Sequence, residues 1–459
     1  MLQPDLESMP RPQLRELQAD RLGELVRYAY ERVPLYRERL GSLHLKPDDI
    51  SDPADLPKLP FTRKSDLRDT YPFGMFAVGL GAVVRIHAST GTTGRPTVVG
   101  YTRHDIEVFA TVCARALAAA GAGPGMILHN AYGYGLFTGG LGFHYGGERL
   151  GLAVLPVSGG GTTRQVDLML DFKPEVLACT PSYALTLGEE LRRRGVAPED
   201  VPLRFAVLGA EPWTEAMRAQ IDRLLGVRST NCYGLSEIIG PGVAAECSAE
   251  RHGSHIAEDH FLAEIVDPDT GVPLPEGKSG VLVVTTLTKE ALPLVRYWTG
   301  DVTSLTTELC SCGCTFARMG PVRGRTDDML IVRGVNVYPT QIEAVLGGFS
   351  ELTPNYRILV SRSGTLDEVR VEVEVDQAFF CTVTGDLLTE EVVEADHLLR
   401  AVRNRTAQDQ VRRRGDRPGP AARARRRAAL GGRQDRPRGR RAPALLALPA
   451  RPGDRGGRV

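Results

Sequence analysis

The sequence predicts an α/β protein with a large N-terminal domain and a smaller α+β domain behind it, and three observations carry that prediction. Between 104 and 230, helical patterns at 105–120 and 215–225 alternate with short apolar runs at 153–157 and 204–209, the rhythm of β-α units in a mainly parallel sheet with helices on both faces. From 254 to 310 the pattern changes to alternating apolar and polar residues between Asp-Pro and Gly-rich turns, which predicts an antiparallel sheet or small barrel. Beyond residue 330, a segment around Val335 to Glu343, strands at 356–361 and 368–375 and a helix at 387–404 compose a compact α+β unit.

In chain order, Leu14, Leu17, Leu22, Leu25, Val26 and Tyr30 recur at helical spacing, so helices open the chain and their role is packing. A Pro-rich connector follows at 52–60, and Thr62 is placed to cap the next short helix. Ala82 to Ile86 and Thr97 to Val99 read as strands. They bracket Ser89-Thr90-Gly91-Thr92-Thr93-Gly94-Arg95, whose glycines let backbone N–H groups approach an anion while the hydroxyls and Arg95 add donors and charge. Such a loop can cradle a polyphosphate, although a plain Ser/Thr/Gly surface turn has the same composition. In a parallel sheet, ligands bind beyond the carboxyl ends of the strands. Gly209-Ala210-Glu211 and Tyr233-Gly234-Leu235-Ser236-Glu237 follow two such ends, so both should line the cleft. Tyr233 offers a flat face to a purine, Gly234 admits close approach to the backbone, and Glu237 is a hard oxygen ligand suited to Mg²⁺ or, alternatively, an acid in a helix first turn.

With 459 residues, 42% hydrophobic and 24% charged, the chain suits two to four soluble domains. Its zero net charge conceals an asymmetry. Residues 401–459 hold 18 Arg against 4 Asp, leaving 38 basic and 52 acidic residues in 1–400. The basic tail lacks the interleaved aromatics of a nucleic-acid arm, so no nucleic-acid partner is expected. No signal-like start or 18-residue apolar run is present, which predicts a cytoplasmic protein without a membrane partner. Eight cysteines in such a chain suit a reducing compartment. Cys310-Ser311-Cys312-Gly313-Cys314 places three thiols in one turn, and Cys247 with His252 and His255 lies on a loop leading into the preceding sheet. A closed, structural Cys₃His zinc site is one reading and reduced, metal-free cysteines are the other.

The loop Ser89-Thr90-Gly91-Thr92-Thr93-Gly94-Arg95-Pro96 resembles the phosphate-binding signature of adenylate-forming enzymes, and its continuation Thr97-Val98-Val99-Gly100-Tyr101-Thr102 resembles the phenylacetate–coenzyme A ligase branch. Five further stretches agree in order: Leu59-Pro60-Phe61-Thr62, Asn130-Ala131-Tyr132-Gly133-Tyr134-Gly135, Tyr233 to Glu237, Thr299-Gly300-Asp301 and Gly324-Arg325-Thr326-Asp327-Asp328. The resemblance covers residues 20 to 400. It implies ATP-dependent activation of an aromatic carboxylic acid to an aryl-adenylate, with Mg²⁺, and transfer to coenzyme A; a carrier-protein thiol or second small molecule is the alternative acceptor, and a homodimer is possible. It implies Ser89, Thr90, Gly91, Thr92, Thr93, Gly94, Gly209, Ala210, Glu211, Tyr233, Gly234, Asp301 and Arg325 around the nucleotide, with Asp301 on the ribose and Glu237, Thr92 and Arg325 at the reacting phosphate. Tyr132, Tyr134, Phe137, Ala210, Gly234 and Pro241 would surround the aryl acid. Cys247, His255, Cys310 and Cys312 would bind Zn²⁺, with His255 favoured over His252 and Cys314 spare.

The domains implied are 1–326, then a mobile 327–404 hinged near Asp327, then 405–459, an Arg/Pro/Gly-rich tail expected to be disordered or the product of a shifted reading frame. Adenylate-forming enzymes carry a catalytic lysine late in the small domain, yet no lysine follows Lys289. A nucleotide- or aryl-acid-binding protein without turnover is therefore a third reading.

Overall fold

The computed structural model describes residues 1–89, 96–326, 330–332, 335–337, 339–346, 349, 352–363 and 366–375. They form two separately packed units that divide between 329 and 330. Thr90 to Arg95, Asp327, the expected helix at 387–404 and the basic tail lie outside the described residues.

After a single helical turn, Pro4–Glu7, the first unit continues with helices Arg11–Arg32 and Pro34–Ser42, separated at Val33 because Pro34 cannot continue a helix but suits the first turn of the next. Leu22, Leu25, Val26 and Ala29 of the first helix are buried in the main core, each large side chain contributing about 1.5–3 kcal/mol of transfer free energy. Helix Arg103–Ala120 shows how sequence sets the bounds. Thr102 Oγ1 accepts the Asp105 N–H at 3.1 Å and the Asp105 carboxylate accepts the Thr102 N–H at 2.9 Å, a reciprocal cap; Gly121 at φ 108° stops the helix.

The large sheet has nine strands, in the order Leu305–Thr306, Arg318–Met319, Ser254–Ile256, Gly240–Ala245, Arg228–Leu235, Phe205–Gly209, Val176–Cys179, Ile127–Asn130 and Ala153–Leu155. The last five run parallel and the others pair antiparallel. All four residues of Val176–Cys179 are buried, as expected of a strand covered by helices on both faces. The region expected to form an antiparallel sheet or small barrel is a four-stranded antiparallel sheet, Phe261–Val266, Gly280–Thr286, Tyr297–Thr303 and Gly324–Arg325. In the second unit, two hairpins, Leu330–Val332 with Val335–Val337 and Leu352–Ser363 with Leu366–Val375, flank helix Pro339–Leu346.

Thr62 corrects its expectation. Helix Lys64–Asp69 has Arg63 as its cap residue, and the Arg63 N–H is accepted by Asp66. Thr62 is buried, bridges Tyr297 in parallel and donates its hydroxyl to the Val295 carbonyl at 2.6 Å. It fastens this short helix to the four-stranded sheet.

Candidate functional site

The hairpin Arg85–Ala88 with Val98–Tyr101 carries the Ser/Thr/Gly loop. Ser89 closes its base, its N–H donating to the Thr97 carbonyl at 2.9 Å and its hydroxyl accepting the Thr97 N–H at 3.2 Å.

Gly209 and Tyr233 to Glu237 lie at the carboxyl ends of adjacent parallel strands. The glycines have a reason that the sequence did not disclose. A Cβ on Gly209 would stand 2.0 Å from the Cys232 carbonyl oxygen, and one on Gly234 would stand 1.9 Å from that of Gly240. Close strand backbones exclude any side chain there. Ala210, at φ 74°, holds a conformation that glycine adopts more readily, and Glu211 accepts the Ser182 N–H at 2.6 Å.

Strand Tyr297–Thr303 brings Asp301 beside Tyr233. The Tyr233 hydroxyl donates to Asp301 Oδ2 at 2.5 Å, Arg325 Nη1 donates to Oδ1 at 2.7 Å, and Arg325 Nη2 donates to the Thr299 carbonyl. Burial, then the Asp301 charge, raises the Tyr233 phenol well above its ordinary range, so it remains a donor.

Glu237 is buried, with Lys64 Nζ 3.5 Å from its carboxylate and the Tyr297 phenol beside it, raised mainly by burial and then by Glu237. Lys64 escaped the sequence reading although it lies two residues beyond the recognised Leu59-Pro60-Phe61-Thr62. Trp298 sits edge-on to Phe61, 4.9 Å between centroids, and under the Arg63 guanidinium, 4.5 Å away. This stack anchors the start of the same helix.

The expected aryl-acid residues separate. Tyr132 and Phe137 line a cavity of about 330 Å³ together with Gly133, Gly159, Ser182 and Tyr183. Tyr132 also stacks on Phe143 at 5.3 Å, so it belongs to the core as well. Tyr134, Ala210, Gly234 and Pro241 are not among the residues lining that cavity. The Tyr134 hydroxyl instead accepts from Asn130 at 2.7 Å and lies 3.2 Å from His144 Nδ1; burial pushes it to about 12. Pro241 pairs with Gly234 across adjacent strands.

The ligand atoms of Cys247, His255, Cys310 and Cys312 lie within 4.8 Å of one another. Cys247 Sγ to Cys310 Sγ is 3.5 Å and Cys312 Sγ to His255 Nε2 is 3.5 Å, close to the ~3.7 Å edge of a tetrahedral zinc–thiolate centre. His255 Nδ1 faces the Phe316 carbonyl at 3.2 Å, which directs Nε2 into the cluster. Hydrogen bonding from Cys312 holds the Cys247 thiol well below its ordinary value; burial pulls His255 down, but the surrounding sulfurs raise it well above its ordinary value. Cys314 packs with Leu14 and Phe316 outside the quartet, and His252 offers its carbonyl to Arg318.

A parallel sheet ending in Gly209 and in the segment Tyr233 to buried Glu237, with Tyr233 hydrogen-bonded to Asp301 of the four-stranded antiparallel sheet, is the framework of an AMP-binding enzyme. The family model for the AMP-binding enzyme matches residues 82–288, and the model for the AMP-binding enzyme C-terminal domain matches 334–405. The chain belongs to the phenylacetate-coenzyme A ligase family. It is 65% identical over 407 residues to the phenylacetate-coenzyme A ligase of Thermus thermophilus, covering 89% of this chain and 92% of that one. It is 53% identical to the Pseudomonas putida enzyme of that name, over 79% and 82% of the two chains. Among solved structures, 2-hydroxyisobutyryl-CoA ligase in the postadenylation state with R3-HIB-AMP superposes at a TM-score of 0.78, with 28% identity, over 83% of this chain and 82% of that one. The same ligase with 2-HIB-AMP and CoA in the thioesterification state gives 0.70 with 26% identity, over 89% and 94%. Among the described residues, no helix is long and apolar enough to cross a membrane.

Proposed function

We propose that this protein converts an aromatic carboxylic acid of the phenylacetate type to its coenzyme A thioester. A carboxylate oxygen attacks the α-phosphorus of ATP and pyrophosphate leaves; the coenzyme A sulfur then attacks the acyl carbon and AMP leaves. The observation that carries this reading is the Tyr233–Asp301–Arg325 cluster beside buried Glu237, in a chain 65% identical to a ligase of that name.

The residues divide the work. Asp301 accepts the ribose hydroxyls, and Arg325 both orients Asp301 and faces the phosphate. Ser89, Thr90, Gly91, Thr92, Thr93 and Gly94 would cradle the triphosphate through N–H and hydroxyl donors, Thr92 being the one that the family resemblance assigns to the reacting phosphate. Gly209, Ala210 and Glu211 border the adenine, and Asp327 serves as the hinge. Glu237, a hard carboxylate oxygen, would hold Mg²⁺, which supplies charge neutralisation on the phosphates. No side-chain nucleophile is needed; alignment and electrostatic stabilisation supply the rate. The aryl ring enters the cavity between Tyr132 and Phe137, whose volume lies in the range of small-molecule sites.

Cys247, His255, Cys310 and Cys312 would hold a structural Zn²⁺, a reading supported by their two 3.5 Å contacts and by the Nδ1 partner of His255. Seven unpaired cysteines among the described residues favour a reducing, cytoplasmic setting.

The test is thioester formation from phenylacetate, ATP and coenzyme A, with phosphopantetheinyl carrier protein as a competing acceptor. Formation of aryl-CoA with AMP and pyrophosphate supports the proposal; ADP as product, or transfer only to the carrier, refutes it.

A further inference from the structure

The turn that carries Glu237 is gripped from behind by a residue that the reaction scheme does not use. The turn follows strand Arg228–Leu235, and the N–H groups of Ile238 and Ile239 bond back to the Leu235 carbonyl. The carbonyls of residues 237, 238 and 239 therefore need donors from elsewhere, because buried backbone acceptors are costly to leave unmade. Lys289 supplies two of them. Its Nζ donates to the Glu237 carbonyl at 3.0 Å and to the Ile238 carbonyl at 2.6 Å, while the ammonium lies 5.0 Å from the centroid of the Tyr101 ring. The Tyr101 hydroxyl donates to the third, Ile239, at 2.9 Å.

Lys289 is itself fixed. The Asp105 carboxylate, also buried, accepts the Glu290 N–H at 2.7 Å and the Ala291 N–H at 2.9 Å, and Thr102 Oγ1 donates to Glu290 Oε2 at 2.7 Å. The capping residues of helix Arg103–Ala120 thus clamp the segment from which Lys289 projects. At 3% exposure, Lys289 cannot reach a substrate. Its ammonium donates to two backbone oxygens and lies over an aromatic face, an arrangement that fixes a main-chain path.

We infer that Lys289 is a positioning residue for nucleotide activation: with Tyr101 it sets the backbone of residues 237–239 and thereby aims the Glu237 carboxylate at the metal-bound phosphates. The inference rests on the proposed role of Glu237. It differs from a general packing role in what it governs, the metal-dependent part of nucleotide affinity rather than nucleotide affinity as a whole.

The experiment is calorimetry of ATP binding to the full chain with Mg²⁺ and again with EDTA, for wild type, Lys289→Met and Tyr101→Phe. Lys289→Met should reduce the Mg²⁺-dependent gain in ATP affinity about 10-fold or more, the usual effect of removing a group that orients a metal-binding residue. Tyr101→Phe should reduce it less, and affinity in EDTA should stay unchanged in both. If Lys289→Met does not fold, Tyr101→Phe decides the question, since it removes one hydroxyl and leaves the ring in place. Equal loss with and without Mg²⁺, or an intact Mg²⁺ gain in the folded variants, overturns the inference. No Mg²⁺ gain in wild type overturns the Glu237 reading first and this inference with it.

Discussion

Replacing Asp301 tests the nucleotide site most directly, because this carboxylate joins Tyr233 and Arg325 and its loss has a calculable signature. In the structure it accepts from Tyr233 at 2.5 Å and from Arg325 at 2.7 Å. Asp301→Asn keeps the volume and one acceptor oxygen but loses the charge and one face of acceptance. Hydrogen bonds to charged groups contribute about 1.5–3 kcal/mol, so losing those to a ribose should weaken ATP about 10- to 150-fold. The fold should tolerate the change: Arg325 is one-third exposed, so loss of its ion pair costs at the low, surface end of the scale. Asp301→Ala is harsher, because the Tyr233 hydroxyl then faces no acceptor on that side, an added ~1–3 kcal/mol of stability. Calorimetry with ATP and with 2′,3′-dideoxy-ATP isolates the effect. Wild type should prefer ATP, and Asp301→Asn should bind both analogues with the same weakened affinity. Undiminished ATP affinity in the variant, or no preference in wild type, would refute the ribose assignment.

Elemental analysis after dialysis should find about one zinc per chain, and Cys310→Ser should lower both the metal content and the melting temperature; a metal-free, fully stable wild type decides for reduced cysteines. The Arg115–Asp259 pair gives a pH signature. Burial alone would raise the Asp259 carboxyl, but two hydrogen bonds from Arg115, with His260 and Arg21 nearby, hold it below its ordinary value. It therefore stabilises the fold above the unfolded carboxyl pKa, and that stability is lost as pH falls through the lowered value. Arg115→Met should cost about 3–5 kcal/mol at pH 7 by denaturant unfolding and less below about pH 4, where the carboxyl of the unfolded chain is protonated; a pH-independent penalty contradicts the assignment. Finally, no lysine follows Lys289, and adenylation in this family is expected to use a late lysine. ATP–pyrophosphate exchange should run about 10²–10³-fold below that of a chimera whose residues 405–459 are replaced by a lysine-bearing segment, with conversion of synthetic aryl-adenylate to thioester preserved in both. Equal exchange rates would show that the lysine is dispensable.

What the sequence disclosed and what it withheld follow from how far apart the determining groups lie. The parallel strands were legible because a strand buried on both faces is a continuous apolar run, as in Phe205-Ala206-Val207-Leu208-Gly209. The Cys247–His255–Cys310–Cys312 cluster was legible only in part: Cys310 and Cys312 stand two residues apart in one turn, but the choice of His255 over His252 came from the family resemblance and not from local spacing. Thr62 misled because its position before a helix predicts a local cap, whereas its hydroxyl is claimed by Val295, 233 residues away. Tyr132 and Tyr134 both follow an expected strand end, but alternate side chains need not face one ligand: the first points to the core and cavity, the second to Asn130 and His144. Lys64 and Lys289 carried no local signal at all, since a lone lysine ordinarily reads as solvated surface. Both converge on Glu237, one through its carboxylate and one through its main chain, from segments 173 and 52 residues distant. Motifs therefore name the groups that meet a ligand. The charges that aim those groups come from elsewhere in the chain, and only the fold brings them into contact.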